Sequence, residues 1–396
     1  MQYKEVFLRP GKEDSLKRFH PWVFSGAIGR LPKNVEEGTV VRVMDASGAF
    51  LGVGHYQIGS IAIRILSFQD ECIDREFYEK RLAAALRLRE MLHLFRPDND
   101  TCRLVHGEGD ALPGLIIDLY GNTAVMQAHS LGMHAHRHLI VEALQHILPQ
   151  GLLRHLYYKS EGTLPYKVEP QWKEGYLLGG KGASSVALEN GLKFRIDWLK
   201  GQKTGFFVDQ RENRKLLEQY VSGRRVLNIF CYTGAFSVCA LRGGATEVLS
   251  VDSSSKAVSL TEENVALNFD REVPHSACAE DAFKFLKRIP KGQYDLIILD
   301  PPAFAKHRGA VNNALQGYKK LNLAALEKLS PGGILFTFSC SQAITKEQFR
   351  LSVFSAAAIS KRNLRILHQL THPADHPINI YHPEGEYLKG LVLLVE

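Results

Sequence analysis

"VLNIFCYTGAFSV", Val226 to Val238, decides the fold. An apolar run, a tight turn and the start of a helix follow one another within thirteen residues. Such a strand–turn–helix opens a doubly wound α/β domain, and ligands of that fold sit at the turn. The turn holds one glycine, Gly234. A dinucleotide fingerprint needs three, so that backbone can approach a pyrophosphate closely. NAD is therefore a poor fit, but a smaller ligand edge can still rest on the loop and helix terminus. The next strand, "ATEVLSVD", ends in Asp252, 18 residues after Gly234. A carboxylate there can accept both hydroxyls of a ribose. The third strand, "PHSACAED", ends in Asp281, which can accept an adenine amino hydrogen. Each acid also suits a plain helix cap. As an ordered set, one glycine and two acids fit S-adenosylmethionine better than NAD.

Strand and helix patterns alternate from about residue 190 onward, which predicts a mainly parallel sheet. Two last strands, "LRILHQLTH" and "YLKGLVLLVE", have no helix between them and predict an antiparallel closing pair. The fourth strand, "YDLIILDPP", delivers Asp300 at its carboxyl end, and Pro301 and Pro302 stiffen the chain beyond it. The fifth, "GGILFTFSCS", delivers Cys340 just past its apolar run. Neighbouring strand ends lie about 5 Å apart, so Asp300 and Cys340 can face one planar ligand. That pairing suits methylation of a pyrimidine at C5. A thiolate added to C6 makes C5 nucleophilic, and an acid near N3 stabilises the adduct. The plain alternative for Cys340 is a small buried residue. Enzymes that methylate amino nitrogens usually carry an aromatic residue directly after the two prolines. Here Ala303 stands there and Phe304 follows one later.

The other half of the chain reads differently. Residues 1 to about 70 hold short strand-like runs, "GTVVRVMD", "AFLGVGHY" and "SIAIRILSF", split by turns. Ahead of them lies a strip of cations and aromatics with Arg9, Lys12, Lys17, Arg18, His20, Trp22 and Phe24. It reads either as a phosphate-and-stacking surface or as core aromatics beside a solvated face. Residues 71 to about 190 read as a second α/β unit. It comprises a helix in "DREFYEKRLAAALRLREML", a hairpin turning at Tyr120-Gly121-Asn122 and a helix in "GMHAHRHLIVEALQHIL". Glu169 to Ser185 reads as a loop or linker.

Composition sets outer limits. The chain has 396 residues, 45% hydrophobic and 23% charged, with a net charge of +7. That excess is compatible with a nucleic-acid partner. No apolar run approaches the ~20 residues of a membrane span, and "MQYKEVFLRPGKED" has no signal-peptide core. No membrane association and a cytoplasmic location are expected. Cys72, Cys102, Cys231, Cys239, Cys278 and Cys340 form no CxxC pair and no zinc spacing. His134, His136 and His138 alternate by two, which sends them to different helix faces. No metal site is expected.

At this point the chain resembles the bacterial ribosomal RNA large-subunit 5-methylcytosine methyltransferases. The resemblance spans nearly all of it. It is carried by "RFHPWVFSGAI", "VHGEGDALPGLIIDLYGN", "GQKTGFFVDQRENR", "LNIFCYTGAFSV", "VDSS", "LDPPAF", "FSCS" and "ADHP" with "HPEGEYLKG". It implies an N-terminal PUA β-barrel domain over 1–70, a central α/β domain over 71–190 and a Rossmann-like methyltransferase domain over 191–396. It implies S-adenosylmethionine as cofactor and 23S ribosomal RNA as partner, and it admits a homodimer. Cys340 and Asp300 become the expected catalytic pair. The expected cofactor set is Phe207, Asp209, Gln210, Asn228, Thr233, Gly234, Asp252, Asp281 and Asp300. The expected RNA surface is Arg9, Lys17, Arg18, His20 and Trp22. Lys203, Lys306, His376 and Lys389 are further pocket candidates. Many related enzymes keep a second cysteine after the strand-four prolines to release the product. Ala303 stands there, so Asp300 or a water it orients is the candidate for the C5 proton. The rival readings are a 5-methyluridine enzyme and an RNA-binding protein that has lost catalysis.

Overall fold

The structure is a computed structural model that describes residues 3–166, 174–305 and 307–396. Lys306 lies outside the described residues. Chain contacts divide the protein into two compact units. The first comprises 1–188, 196–208 and 374–385; the second comprises 189–195, 209–373 and 386–396.

In the first unit, β1 (Lys4–Leu8), α1 (Asp14–Lys17), β2 (Trp22–Phe24), β3 (Ile28–Arg30), β4 (Val40–Met44), β5 (Phe50–Tyr56) and β6 (Ile61–Ser67) come first. Their six strands form one sheet in the order β2-β6-β5-β4-β1-β3. Alternating apolar residues bury one face around Val6, Leu8, Val41, Val43 and Ile63. Then follow α2 (Arg75–Met91), β7 (Thr101–His106), β8 (Leu115–Tyr120), β9 (Thr123–Ala128), α3 (Leu131–Ala135), α4 (Arg137–Ile147), β10 (His155–Tyr158) and β11 (Gly175–Leu178). Their sheet runs β11-β10-β9-β8-β7.

Two local expectations need correction. The segment read as one helix is broken at His136, which serves as the C-cap of α3 and the N-cap of α4. The segment read as a linker contains β11, which pairs antiparallel with β10. Residues 167–173 of that segment lie outside the described residues.

A buried ion network ties distant pieces of this unit together. The Arg89 guanidinium is fully buried. It donates to both carboxylate oxygens of Asp110 (2.6 and 2.8 Å) and to the Asp375 carbonyl (2.7 Å). Asp375 also accepts from the Arg103 amide (3.0 Å), and Arg103 grips Asp118 (2.8 Å). Asp118 accepts from the Thr204 hydroxyl (2.6 Å). The short pieces 196–208 and 374–385 are thus fastened by charge-assisted bonds in a dry interior, where such bonds are strong.

β12 (Val186–Glu189) and β13 (Leu192–Arg195) flank the first passage of the chain into the second unit. The second unit continues with α5 (Arg211–Leu217), β14 (Arg225–Ile229), α6 (Ala235–Arg242), β15 (Glu247–Asp252), α7 (Ser255–Ala266), β16 (His275–Ala279), α8 (Ala282–Arg288), β17 (Leu296–Leu299), α9 (Val311–Leu326), β18 (Ile334–Ser339), α10 (Lys346–Ser360), β19 (Leu364–Leu370) and β20 (Lys389–Val395). The sheet order is β16-β15-β14-β17-β18-β20-β19. The first five of these strands are parallel; β20 runs antiparallel to β18 and to β19. Helices on both faces explain why β17 and β18 are buried along their whole length and read as unbroken apolar runs. Strand order reverses between β14 and β17, and such a switch point opens a ligand crevice at the carboxyl ends. On the far side the sheet ends at β19, which has a bulge between Ile366 and His368.

Candidate active site

Three backbone positions after β14 shape the loop at the switch point. Phe230, Tyr232 and Gly234 have φ of 64°, 47° and 72°. Left-handed backbone is uncommon for bulky residues and marks a loop held by its surroundings. Only glycine fits position 234, because a Cβ there would lie 2.4 Å from the Thr261 methyl. The Gly234 amide closes the turn on the Cys231 carbonyl (2.7 Å), and Asn264 donates to the Thr233 carbonyl (2.8 Å). Thr233 itself is buried.

Asp252, the last residue of β15, is half-buried. Its carboxylate accepts from the Tyr232 amide (3.1 Å) and the Ser254 amide (2.9 Å). It therefore braces the same loop. Asp281 is exposed and caps α8, accepting from the Lys284 amide (2.9 Å). Asn228, buried on β14, donates to Ser237 (2.9 Å), while its amide oxygen is buried with no partner. Ser237 passes the chain to Ser250 (2.7 Å) and Ser250 to His275 (2.9 Å). Asn228 is thus bonded to α6 and, through it, to two neighbouring strands.

Asp300 follows β17 and is half-buried. It accepts from the Gln210 amide (3.1 Å), and Gln210 in turn accepts from Asn213 (2.6 Å). Burial, then the charge of Asp209, pushes the Asp300 carboxyl up to about 7; the Gln210 bond pulls the other way. Asp209 accepts from the Tyr387 hydroxyl (2.6 Å), and its other carboxylate oxygen is buried with no partner. Tyr387 is a site residue that sequence reasoning passed over, although it stands inside the quoted "HPEGEYLKG". Arg214 and Glu189 form a buried ion pair (2.7 Å) behind α5.

Cys340 follows β18 and is half-buried, with its sulfur 3.8 Å from the Pro301 carbonyl. The two strand-end residues Asp300 and Cys340 are therefore linked through one residue. Ser341 accepts from the Ala305 amide (3.2 Å) and bonds Tyr318 (2.9 Å), which fixes the turn after the thiol. Lys389 donates to two carbonyls of that turn. By contrast, Cys231 is buried against Thr261 (3.5 Å), and burial pushes its thiol up to about 12.

The first unit holds the remaining candidates. Phe207 is half-buried there, Lys203 is exposed, and His376 is buried beside Asp375 (3.0 Å). In the N-terminal strip Arg9, Lys17 and Arg18 are exposed. Arg9 donates to the Ile28 carbonyl (3.1 Å), Arg18 to the Asp14 carbonyl (3.2 Å), and Lys17 reaches Glu13 (3.5 Å). The Trp22 indole donates to Glu108 (2.8 Å) and packs edge-on against His382, 4.2 Å between centroids. His20, His382 and Glu384 bring three ligand-type atoms within 4.8 Å of one another. His20 Nδ1, however, accepts from the Trp22 amide (3.2 Å). In a neutral ring the proton is then on Nε2, which faces Glu384 at 3.5 Å as a donor. That tautomer opposes metal ligation at Nε2.

The loop, the two acids behind it and the orphaned oxygens of Asn228 and Asp209 fit a small polar cofactor. Comparison with known proteins agrees. The S-adenosylmethionine-dependent methyltransferase family matches residues 153–385, and a PUA-like domain matches residues 6–68. The ribosomal RNA large subunit methyltransferase I of Tolumonas auensis is 41% identical over 394 residues, covering 98% of both chains. That of Alteromonas mediterranea is 39% identical over 393 residues, again 98% of each. Among solved structures, a putative methyltransferase from Streptococcus mutans has a TM-score of 0.84 at 25% identity, over 99% of this chain and 100% of its own. Another putative methyltransferase, solved with SAH, matches at the same TM-score and identity over 100% of both chains. No helix among the described residues is long and apolar enough to cross a membrane. With a one-glycine loop at its switch point and relatives matched end to end, the chain belongs to the ribosomal RNA large subunit methyltransferase I family, S-adenosylmethionine-dependent methyltransferases with an N-terminal PUA-like domain.

Proposed function

We propose that this chain methylates C5 of a cytosine in 23S ribosomal RNA, with Cys340 as the nucleophile. In this reading residues 1–70 bind RNA, 71–190 form a central α/β domain and 191–396 carry the chemistry. The observation that carries it is the thiol and the carboxyl at adjacent strand ends, joined at Pro301. The Cys340 thiolate adds to C6 of the base. Asp300, poised near neutrality, gives its proton to N3 and remains as the counter-ion of the adduct. The C5–C6 electron pair is thereby freed for C5. Bound S-adenosylmethionine supplies an electrophilic methyl group. Asp300, now a carboxylate, takes the C5 proton directly or through a water. The C5–H pair re-forms the C5–C6 double bond, the C6–sulfur bond breaks to return the thiolate, and the N3 proton passes to solvent. Ala303 leaves no second thiol beside the prolines for this last step.

Phe207, Asp209, Gln210, Asn228, Thr233, Gly234, Asp252, Asp281 and Asp300 would hold the cofactor. Asp252 suits the ribose hydroxyls, since its bonds to the loop leave acceptor capacity. Asp281 is exposed enough to meet the adenine while it caps its helix. Arg9, Lys17, Arg18, His20 and Trp22 would meet the RNA, through phosphate contacts and stacking.

The test is covalent trapping with RNA carrying 5-fluorocytosine at the target position. Methylation cannot then be followed by loss of the C5 substituent. A stable protein–RNA adduct should appear on a denaturing gel, require S-adenosylmethionine, and vanish in Cys340→Ala. Cys231→Ala should still trap. Trapping at the wild-type rate by Cys340→Ala would move the nucleophile elsewhere.

A further inference from the structure

The end of β18 has an unusual partner. Ser339 lies directly opposite Lys389 across the antiparallel β18–β20 pair. Lys389 is 5% exposed. Its ammonium donates to the carbonyls of Ser341 (2.8 Å) and Ile344 (2.5 Å). Both carbonyls belong to the turn that leaves Cys340, so the turn is wrapped on a buried cation. A buried ammonium is costly, and two neutral carbonyls take two of its three N–H donors without neutralising its charge. Among the described residues, Glu386 is the carboxylate closest in sequence, and it is held by Lys346 nearer the surface. Burial pulls the Lys389 pKa down to about 8, while the negative charge of a Cys340 thiolate pulls it back up. Attraction between the two charges is mutual, so the cation that gains from the thiolate also favours it.

We propose that Lys389 is a positioning residue that holds the turn after Cys340 and biases its sulfur toward thiolate. The inference deepens the reading of Cys340 as nucleophile and rests on it. Other groups face the thiol from each side. Asp300, at the end of β17, opposes the thiolate when ionised, but its own pKa of about 7 leaves it partly neutral at working pH. Tyr318 of α9, bonded to Ser341, is pushed up by burial and stays neutral. Lys346 and Glu386 offset each other. Lys389 is a buried cation whose charge acts on the Cys340 sulfur and favours its anion. The role differs from that of a helix-capping lysine at a surface, because the side chain is only 5% exposed and water screens its charge less.

The experiment measures the rate of Cys340 carbamidomethylation by iodoacetamide against pH, read on the Cys340 peptide by mass spectrometry. The intact chain is used without RNA. An ordinary thiol titrates near 8.5. The wild-type midpoint should lie below about 8. Lys389→Gln keeps a donor for the carbonyls and removes the charge. Its midpoint should rise by about one pH unit, which at pH 7 is roughly a tenfold slower reaction. Lys389→Arg should stay near wild type. A wild-type midpoint at or above about 8.5 overturns the proposal without any variant. So does a folded Lys389→Gln protein that titrates like wild type. The fluorocytosine adduct keeps the two readings apart. If Cys340→Ala still traps RNA while the wild-type midpoint is low, the nucleophile reading fails and the thiolate bias stands.

Discussion

At the carboxyl ends of β17 and β18, polar side chains are chained to one another. Asn213 holds Gln210, Gln210 holds Asp300, and Lys389 holds the turn after Cys340. The N-terminal strip is rich in the same kinds of groups but treats them differently. Its cations are exposed and bond mainly to carbonyls a few residues or one strand away, while Trp22 spends its one donor on Glu108. In the proposed function the contrast separates two ways of meeting RNA. A site that does chemistry needs charge fixed in a water-poor setting, where it is worth most and can shift a pKa. A surface that grips phosphate needs charge that can still move to meet it.

Substitutions can break that contrast. The largest effect is expected at Asp300. Asp300→Asn should lower the rate of adduct formation by about 10²–10³-fold, the usual loss when one pre-set electrostatic partner is removed. The wild-type rate should also lose its acid-dependent component as pH rises through about 7, where Asp300 ionises. That limb should be missing in the variant. Stability gives the opposite sign. The folded pKa is raised, so the penalty for an ionised Asp300 is absent below about pH 4 and complete above about pH 7. Asp300→Asn should therefore be more stable than wild type at pH 8, by about 2–4 kcal/mol, and equal to it in acid. Urea titrations at the two pH values check this. A variant that is slower but no more stable at pH 8 would mean that Asp300 is not held against its ionisation.

Asp252→Ala comes next. Loss of a charged acceptor should weaken S-adenosylmethionine by about 1.5–3 kcal/mol in calorimetry. The exposed Asp281→Ala should cost less, about 1 kcal/mol of stability from a lost cap, with a smaller change in affinity. Equal losses at the two acids would erase the distinction between a braced carboxylate and a capping one.

The strip should respond more weakly. Trp22→Phe keeps an aromatic face and loses the donor to Glu108. About 1–2 kcal/mol of stability should go, with RNA affinity little changed. Lys17→Ala and Arg18→Ala should each weaken RNA binding a few-fold and flatten its dependence on log salt by about 0.7–0.9. A salt slope that does not move would take these cations out of the phosphate surface.

Much of the catalytic unit could be read from sequence because its signals are local. A strand buried on both faces must be apolar along its length, and whatever follows it reaches the sheet edge. That exposed Asp252, Asp300 and Cys340 as candidates. The breaks came where local signals conflict or fail. His136 interrupts an apolar period that runs on through both helices, so no pattern marks the interruption. β11 carries Gly175 and a half-exposed face, and only its pairing with β10 makes it a strand. The bonds of Gln210 to Asp300 and of Tyr387 to Asp209 join residues 90 and 178 positions apart, and such separations leave no periodic trace. Lys389 was legible only as one of several further pocket candidates; the fold alone shows that it is buried and bonded to the turn after Cys340.

The free edge of the catalytic sheet has a consequence for crowded solutions. Among the described residues no strand pairs with the outer side of β19, whose Ile366 and Leu367 are 39% and 38% exposed. A flat edge of that kind would invite another chain to add on, the first step toward aggregates. The bulge after Ile366 twists the edge out of line, and Arg365, paired with Glu396 at 2.6 Å, sets charge beside it. The edge is blunted in the way native sheets protect themselves, with one extra residue and one ion pair at the rim of the sheet opposing strand addition.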